Sequence, residues 1–219
     1  MNHDAKIEAL IQREESDPRL GRLLVAMRHR LPGKPTYCDA RAGIESNWTY
    51  VKRFTPQIKD GGLRIMEIGP GVGSWMIIAR ELGNDVVGED LPVSGGMSWS
   101  SDHYAGITAH RGLPVKYHGF HKYLTTADHG YEPGSFDMIH SRGSLSGVLW
   151  SLTGGDQARV AHHVSLLLSL FGGLLKSGGL LHIAHNAGPP AEAWCAEIDR
   201  GITWDVITNT PRICKLVKA

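Results

Sequence analysis

Glu67 stands two residues ahead of a glycine-rich stretch, Gly69-Pro70-Gly71-Val72-Gly73, and Asp90 closes a second apolar run, Asp85-Val86-Val87-Gly88-Glu89-Asp90. Backbone without Cβ can turn tightly and let a bulky group come close, and the amides that open a following helix point at polar groups placed there. A carboxylate ending the second run can accept both hydroxyls of a ribose, and an acid at Glu67 suits a cationic amino group beside the turn. A nicotinamide dinucleotide would use the same ribose acid. Its fingerprint is G-x-G-x-x-G or a final Ala, however, and here Gly69 and Gly71 are followed by Ser74.

Two histidines fall where apolar runs end. His140 follows Phe136-Asp137-Met138-Ile139 and precedes Ser141-Arg142, while His185 and Asn186 follow Leu180-Leu181-His182-Ile183-Ala184. An imidazole has the right ordinary pKa to take a proton near neutrality, so His140 and then His185 are the candidate bases. Either could instead cap its strand through backbone hydrogen bonds. Arg142 and Asn186 are candidate substrate contacts, Arg142 for an anionic group. Trp48 and Tyr50, with Phe54, could line a substrate lid or pack helices together. Arg19, Arg22, Arg28, Arg30 and Lys34 cluster without an acid among them, an electrostatic seat for an anion or a solvated helix face.

No metal is expected. His162 and His163 are adjacent and diverge on a helix, His118 and His121 lack a companion set, and the run ends offer His, Ser, Arg and Asn rather than carboxylates. Cys38, Cys195 and Cys214 are odd in number and share no C-x-x-C spacing, which argues against a disulfide framework or zinc site and for a reducing compartment.

These residues need elements to hold them. Ile7, Leu10 and Ile11, then Leu20, Leu23, Leu24 and Met27, recur at helical steps on either side of Asp17-Pro18, and 40–58 reads as a third helix. After Asp60-Gly61-Gly62, short apolar runs alternate with helical patterns, which predicts a parallel sheet covered by helices. Strands are expected near 63–68, 85–89, 113–117, 136–140 and 179–185, and helices over 74–82, 156–175 and 191–200. An antiparallel hairpin is expected to end the chain, over 202–207 and 212–217 around Thr208-Asn209-Thr210-Pro211. The organisation expected is a helical cap or lid segment, 1–60, and an α/β domain, 61–219.

Composition bounds the partners. Of 219 residues, 42% are hydrophobic and 21% charged, too apolar for disorder, and a net charge of +1 argues against a dedicated nucleic-acid binder. The apolar stretches are too short to span a bilayer and the amino terminus lacks a secretory signal, so a soluble, cytoplasmic protein is expected.

From Leu63 to the final hairpin the chain resembles the class I S-adenosylmethionine-dependent methyltransferase family. Glu67-Ile68-Gly69-Pro70-Gly71-Val72-Gly73 looks like its first motif and Val87-Gly88-Glu89-Asp90-Leu91 like its ribose-binding strand end. Gly134-Ser135-Phe136-Asp137-Met138-Ile139 resembles its fourth strand, and Leu174-Leu175-Lys176-Ser177-Gly178-Gly179-Leu180-Leu181 the turn into its fifth. The resemblance implies a Rossmann-like, seven-stranded, mostly parallel sheet with the terminal hairpin, and S-adenosylmethionine as cofactor. Glu67, Gly69, Gly71 and Gly73 would then face its methionine end and Asp90, rather than Glu89, its ribose. His140 would lie close to the cofactor. The acid that the family often carries after its third strand is absent from Tyr117-His118-Gly119-Phe120-His121, so Phe120 is the candidate stacking partner for adenine. The expected activity is metal-independent methyl transfer to oxygen, nitrogen or carbon of a small molecule. RNA or protein methylation, and cofactor binding without catalysis, are the alternatives. Oligomeric state is left open, a homodimer included.

Overall fold

The computed structural model describes residues 2–30, 38–90, 101–118, 129–145, 149, 153–184, 193–194, 196, 204–210 and 213–218. They form two compact units. One comprises 1–63 and 70–118, the other 64–69 and 119–219.

The first unit opens with α1 (His3–Glu15), α2 (Pro18–Arg30) and α3 (Ala40–Phe54). Each starts where a side-chain oxygen satisfies an otherwise orphaned helix amide. Asn2 Oδ1 accepts from Ala5 N at 3.2 Å, Asp17 Oδ1 from Arg19 N and Leu20 N at 2.9 and 3.0 Å, and Asp39 Oδ1 from Ala42 N at 2.8 Å. The third helix stops at Phe54 rather than running to Ile58, because Pro56 lacks the amide that continued helix requires. A short 3-10 turn, Pro56–Asp60, follows. Arg41 ties α3 to α1 by reaching Glu8 at 3.1 Å and Glu15 at 2.8 Å. Leu20, Leu24, Met27, Cys38, Ala40, Val72 and Ile107 share one buried cluster, so the apolar stripe of α2 is spent on packing.

The same unit holds α4 (Ser74–Glu81), β2 (Asp85–Asp90), α5 (Ser101–His110) and β3 (Val115–Tyr117). Strands β2 and β3 pair in parallel, with Asp90 opposite Tyr117.

The second unit contains β1 (Arg64–Ile68), β4 (Phe136–Arg142), α6 (Gln157–Leu174), β5 (Leu175–Ala184), β6 (Trp204–Thr210) and β7 (Ile213–Lys218). Here β1, β4 and β5 are parallel neighbours, and β5 continues into β7 and then β6, both pairings antiparallel. The terminal hairpin is therefore present, over 204–210 and 213–218. Asp156 caps α6 by accepting from Arg159 N at 2.9 Å, and the stripe Val160, Val164, Leu167 and Leu168 is buried. Strand β5 begins at Leu175, earlier than its composition suggests. Phe136 pairs with Leu175 but Met138 with Leu180, so Lys176–Gly179 forms a bulge opposite Asp137, with Gly178 at φ +74. The helix expected over 191–200 lies mostly outside the described residues, of which 193, 194 and 196 are helical.

Candidate functional site

In the first unit the glycine turn is held from below. Gly73 N donates to Pro70 O at 2.8 Å, and Gly73, in left-handed backbone at φ +77, stands directly before α4. The guanidinium of Arg111, almost wholly buried, donates to Val72 O and is paired at 2.7 Å with Glu14 of α1. A Cβ on Gly73 would lie 2.3 Å from Leu113 Cδ1, so the missing side chain makes room for the protein's own packing. Nothing in the sequence points to the Arg111 clamp, since its partners lie 39 and 97 residues away.

Asp90 ends β2 half-buried, whereas Glu89 is sealed. Alternation along the strand puts the two on opposite faces, Asp90 on the less buried one. Tyr117, opposite Asp90, has its phenol pushed up to about 12 by burial and by the nearby Asp90 charge. Its hydroxyl lies 2.7 Å from Thr108 Oγ1. Glu89 Oε2 sits 3.2 Å from His118 Nε2, so His118 has a carboxylate companion that linear spacing did not reveal.

The second unit places Glu67 and His140 side by side. They are register partners on β1 and β4, with Glu67 4% and His140 0% exposed, and Glu67 Oε1 lies 3.6 Å from His140 Nδ1. Burial pushes the Glu67 carboxyl up to about 8, with the Arg142 charge opposing, and pulls His140 down to about 3, helped by Arg142. Near neutrality both are therefore uncharged. His182 of β5, which sequence reasoning passed over, is register partner to His140, and the two rings meet edge to face with centroids 5.4 Å apart. Arg142 closes β4 exposed.

Gly69 follows β1 at φ +70. A Cβ there would lie 2.2 Å from both Cβ and Oγ of Ser144. Ser144 Oγ donates to Ile68 O at 2.7 Å and lies 2.9 Å from Ser141 Oγ. Like Gly73, Gly69 is required by the chain itself. Gly71 also has positive φ, at +56. Asp137, in the expected fourth-strand motif, accepts from Arg64 N at 2.8 Å and Lys176 Nζ at 2.6 Å, a structural task at the opposite end of β4 from His140.

Trp48 and Tyr50 are buried in α3. Trp48 Nε1 donates to Asp4 Oδ1 at 2.6 Å, and Tyr50 packs on Phe54 with centroids 5.0 Å apart. Those contacts support helix packing. Phe120, His185 and Asn186 lie outside the described residues. No helix among the described residues is long and apolar enough to cross a membrane.

No family model and no curated protein matches the chain. Solved structures of similar backbone include a SAM-dependent methyltransferase from Archaeoglobus fulgidus, at 16% identity over 66% of this chain and 53% of that one, TM-score 0.46. A sugar N-methyltransferase from Streptoalloteichus matches at 16% identity over 75% of this chain and 56% of that one, TM-score 0.44. A 16S rRNA methyltransferase from T. thermophilus, in complex with AdoMet and guanosine, matches at 15% identity over 74% of this chain and 37% of that one, TM-score 0.46. The chain thus spans from over a third to somewhat more than half of the length of these proteins.

Proposed function

We propose that this protein transfers a methyl group from S-adenosylmethionine to a small-molecule acceptor, on the seven-stranded Rossmann-like sheet of the class I methyltransferases. The observation that carries the reading is Glu67. A sealed carboxyl whose Oε2 has no hydrogen-bond partner among the described residues directly precedes a turn of three glycines with positive φ. Such an orphaned acceptor is costly unless a ligand supplies the donor. The ammonium of the cofactor's methionine portion fits that need, and half-buried Asp90 fits the ribose hydroxyls. Gly69, Gly71 and Gly73 shape the turn between them in sequence.

When bound, the cofactor supplies an electrophilic methyl on a sulfonium, displaced in line by the acceptor atom. The protein's part is then to bind, orient and exclude water. His140, uncharged and sealed, offers a lone pair but is a weak base, which suits an acceptor that loses its proton readily or carries none. His185 is the second candidate for that proton, Arg142 and Asn186 for substrate contacts, and Phe120 for adenine. We assign residues 1–60 to a cap that selects the acceptor, with buried Trp48 and Tyr50 packing its helices, and residues 61–219 to the transfer domain. No metal ion is needed for this chemistry, and the cytoplasm suits it.

Calorimetric titration tests the reading. S-adenosylhomocysteine is expected to bind at micromolar levels and NADH not at all; the reverse would replace methyl transfer with hydride transfer. RNA methylation is the second reading, motivated by α2, whose thirteen residues carry four arginines and no acid. A steep loss of activity on a polynucleotide with rising salt would favour it.

A further inference from the structure

Glu67, His140 and His182 stand at one register across three neighbouring parallel strands, so three ionisable side chains share one face of the sheet and all are sealed from water. At 3.6 Å, Glu67 Oε1 and His140 Nδ1 are too far apart for a hydrogen bond, and Oε2 has no partner among the described residues. A carboxylate held there would keep its charge in a low-dielectric setting without a donor, whereas the neutral acid costs far less. Of the ionisable groups that β4 and β5 bring to that face, His140 and His182 are buried imidazoles and Arg142 is the lone cation. It lies at the exposed end of β4, and its charge only partly offsets the effect of burial on Glu67.

Building on the cofactor reading above, we propose that Glu67 is the neutral acid in the ligand-free protein and gives up its proton as the ammonium end of the cofactor arrives, so that binding and proton release are one event. The ammonium supplies both things the carboxyl lacks, a donor for Oε2 and a compensating charge. The proton goes to solvent, because His140 is too weakly basic to keep it: burial draws its imidazole down to about 3 while raising the Glu67 carboxyl to about 8. Apparent affinity should therefore fall about tenfold for each pH unit below about 8.

The test is titration of the full chain with S-adenosylhomocysteine at pH 7 in two buffers of different ionisation enthalpy, which counts protons released. About one proton per ligand is expected from the parent protein and close to none from Glu67→Gln. With 5′-methylthioadenosine, which keeps the nucleoside but has no amino group, the parent itself should release none, a control that needs no variant to fold. Binding of S-adenosylhomocysteine without proton release would overturn this proposal and leave the cofactor reading standing. No binding of either nucleoside would overturn the cofactor reading first.

Discussion

Each compact unit contains a glutamate and a histidine brought together from different strand ends, and the two pairs differ in access to water. In the first unit Glu89 is sealed but its partner His118 keeps 21% of its side chain exposed, and the two approach to 3.2 Å. In the second, Glu67 and His140 are both sealed and stay 3.6 Å apart. The Glu89 pair thus keeps one member partly open to solvent. The Glu67 pair has no exposed member, and burial drives both to their neutral forms. The same two residue types thus make a contact of ordinary ion-pair geometry in one place and an uncharged, ligand-ready acid in the other.

The packing where β1 ends should give the largest effect when it is broken. Gly69→Ala adds a Cβ 2.2 Å from Ser144 in backbone of positive φ, so we expect a loss of about 3 kcal/mol or more in urea unfolding. Adding Ser144→Gly should recover the steric part and leave about 2 kcal/mol, from the backbone and from the lost Ser144 Oγ hydrogen bond to Ile68 O. Full stability in Gly69→Ala would mean that the turn adapts.

The neutral pair also predicts how stability follows pH. Glu67 has its folded pKa raised from 4.5 to about 8, so the folded state binds the extra proton between those values and this group's contribution declines as pH rises. His140 is lowered from 6.5 to about 3, so its contribution improves as pH rises through that window. Between about 4.5 and 6.5 the two oppose one another. Above 6.5 only Glu67 acts, and stability should drop by at most about 2 kcal/mol by pH 8. Glu67→Gln should flatten that decline, and His140→Gln should flatten the acid limb instead. A decline that survives Glu67→Gln would place its origin elsewhere.

Much of this arrangement could be read from the chain. Helical steps on either side of Asp17-Pro18 and the change of pattern after Gly62 foretold the helices and the α/β frame. Glu67 and Asp90 stood out because both flank local features. The turn expected at Lys176–Gly179 is a bulge within β5, since pairing with Phe136 extends the strand past residues whose own preferences favour a turn. His182, Glu89 with His118, Ser144 against Gly69, and Arg111 on Val72 were hidden for one reason. Each depends on register or packing between segments 29 to 75 residues apart, which residue spacing does not encode.

At the open acid the expected effects are on binding. Asp90→Ala should weaken S-adenosylhomocysteine by about 1 to 3 kcal/mol through lost charge-assisted hydrogen bonds, with the unfolding midpoint little changed because Asp90 is half-exposed. Unaltered affinity would remove Asp90 from the ribose site and leave Glu67 as the sole acidic contact.

The smallest effect separates Asp90 from its surroundings. Tyr117 lies opposite Asp90, and its hydroxyl meets Thr108 Oγ1 at 2.7 Å; Thr108 Oγ1 also donates to Tyr104 O at 2.9 Å. Tyr117→Phe therefore leaves Thr108 with its helix carbonyl, and the cost should be about 0.5 to 1 kcal/mol in unfolding. The phenol stays protonated far above neutral pH, because burial and Asp90 both disfavour its anion, so its removal changes no charge beside the ribose acid. Affinity for S-adenosylhomocysteine should accordingly match the parent within twofold, on the order of 0.4 kcal/mol. A larger drop would mean that the hydroxyl orients Asp90 or touches the ligand, and the open site would then depend on its supporting residues as closely as the sealed one does.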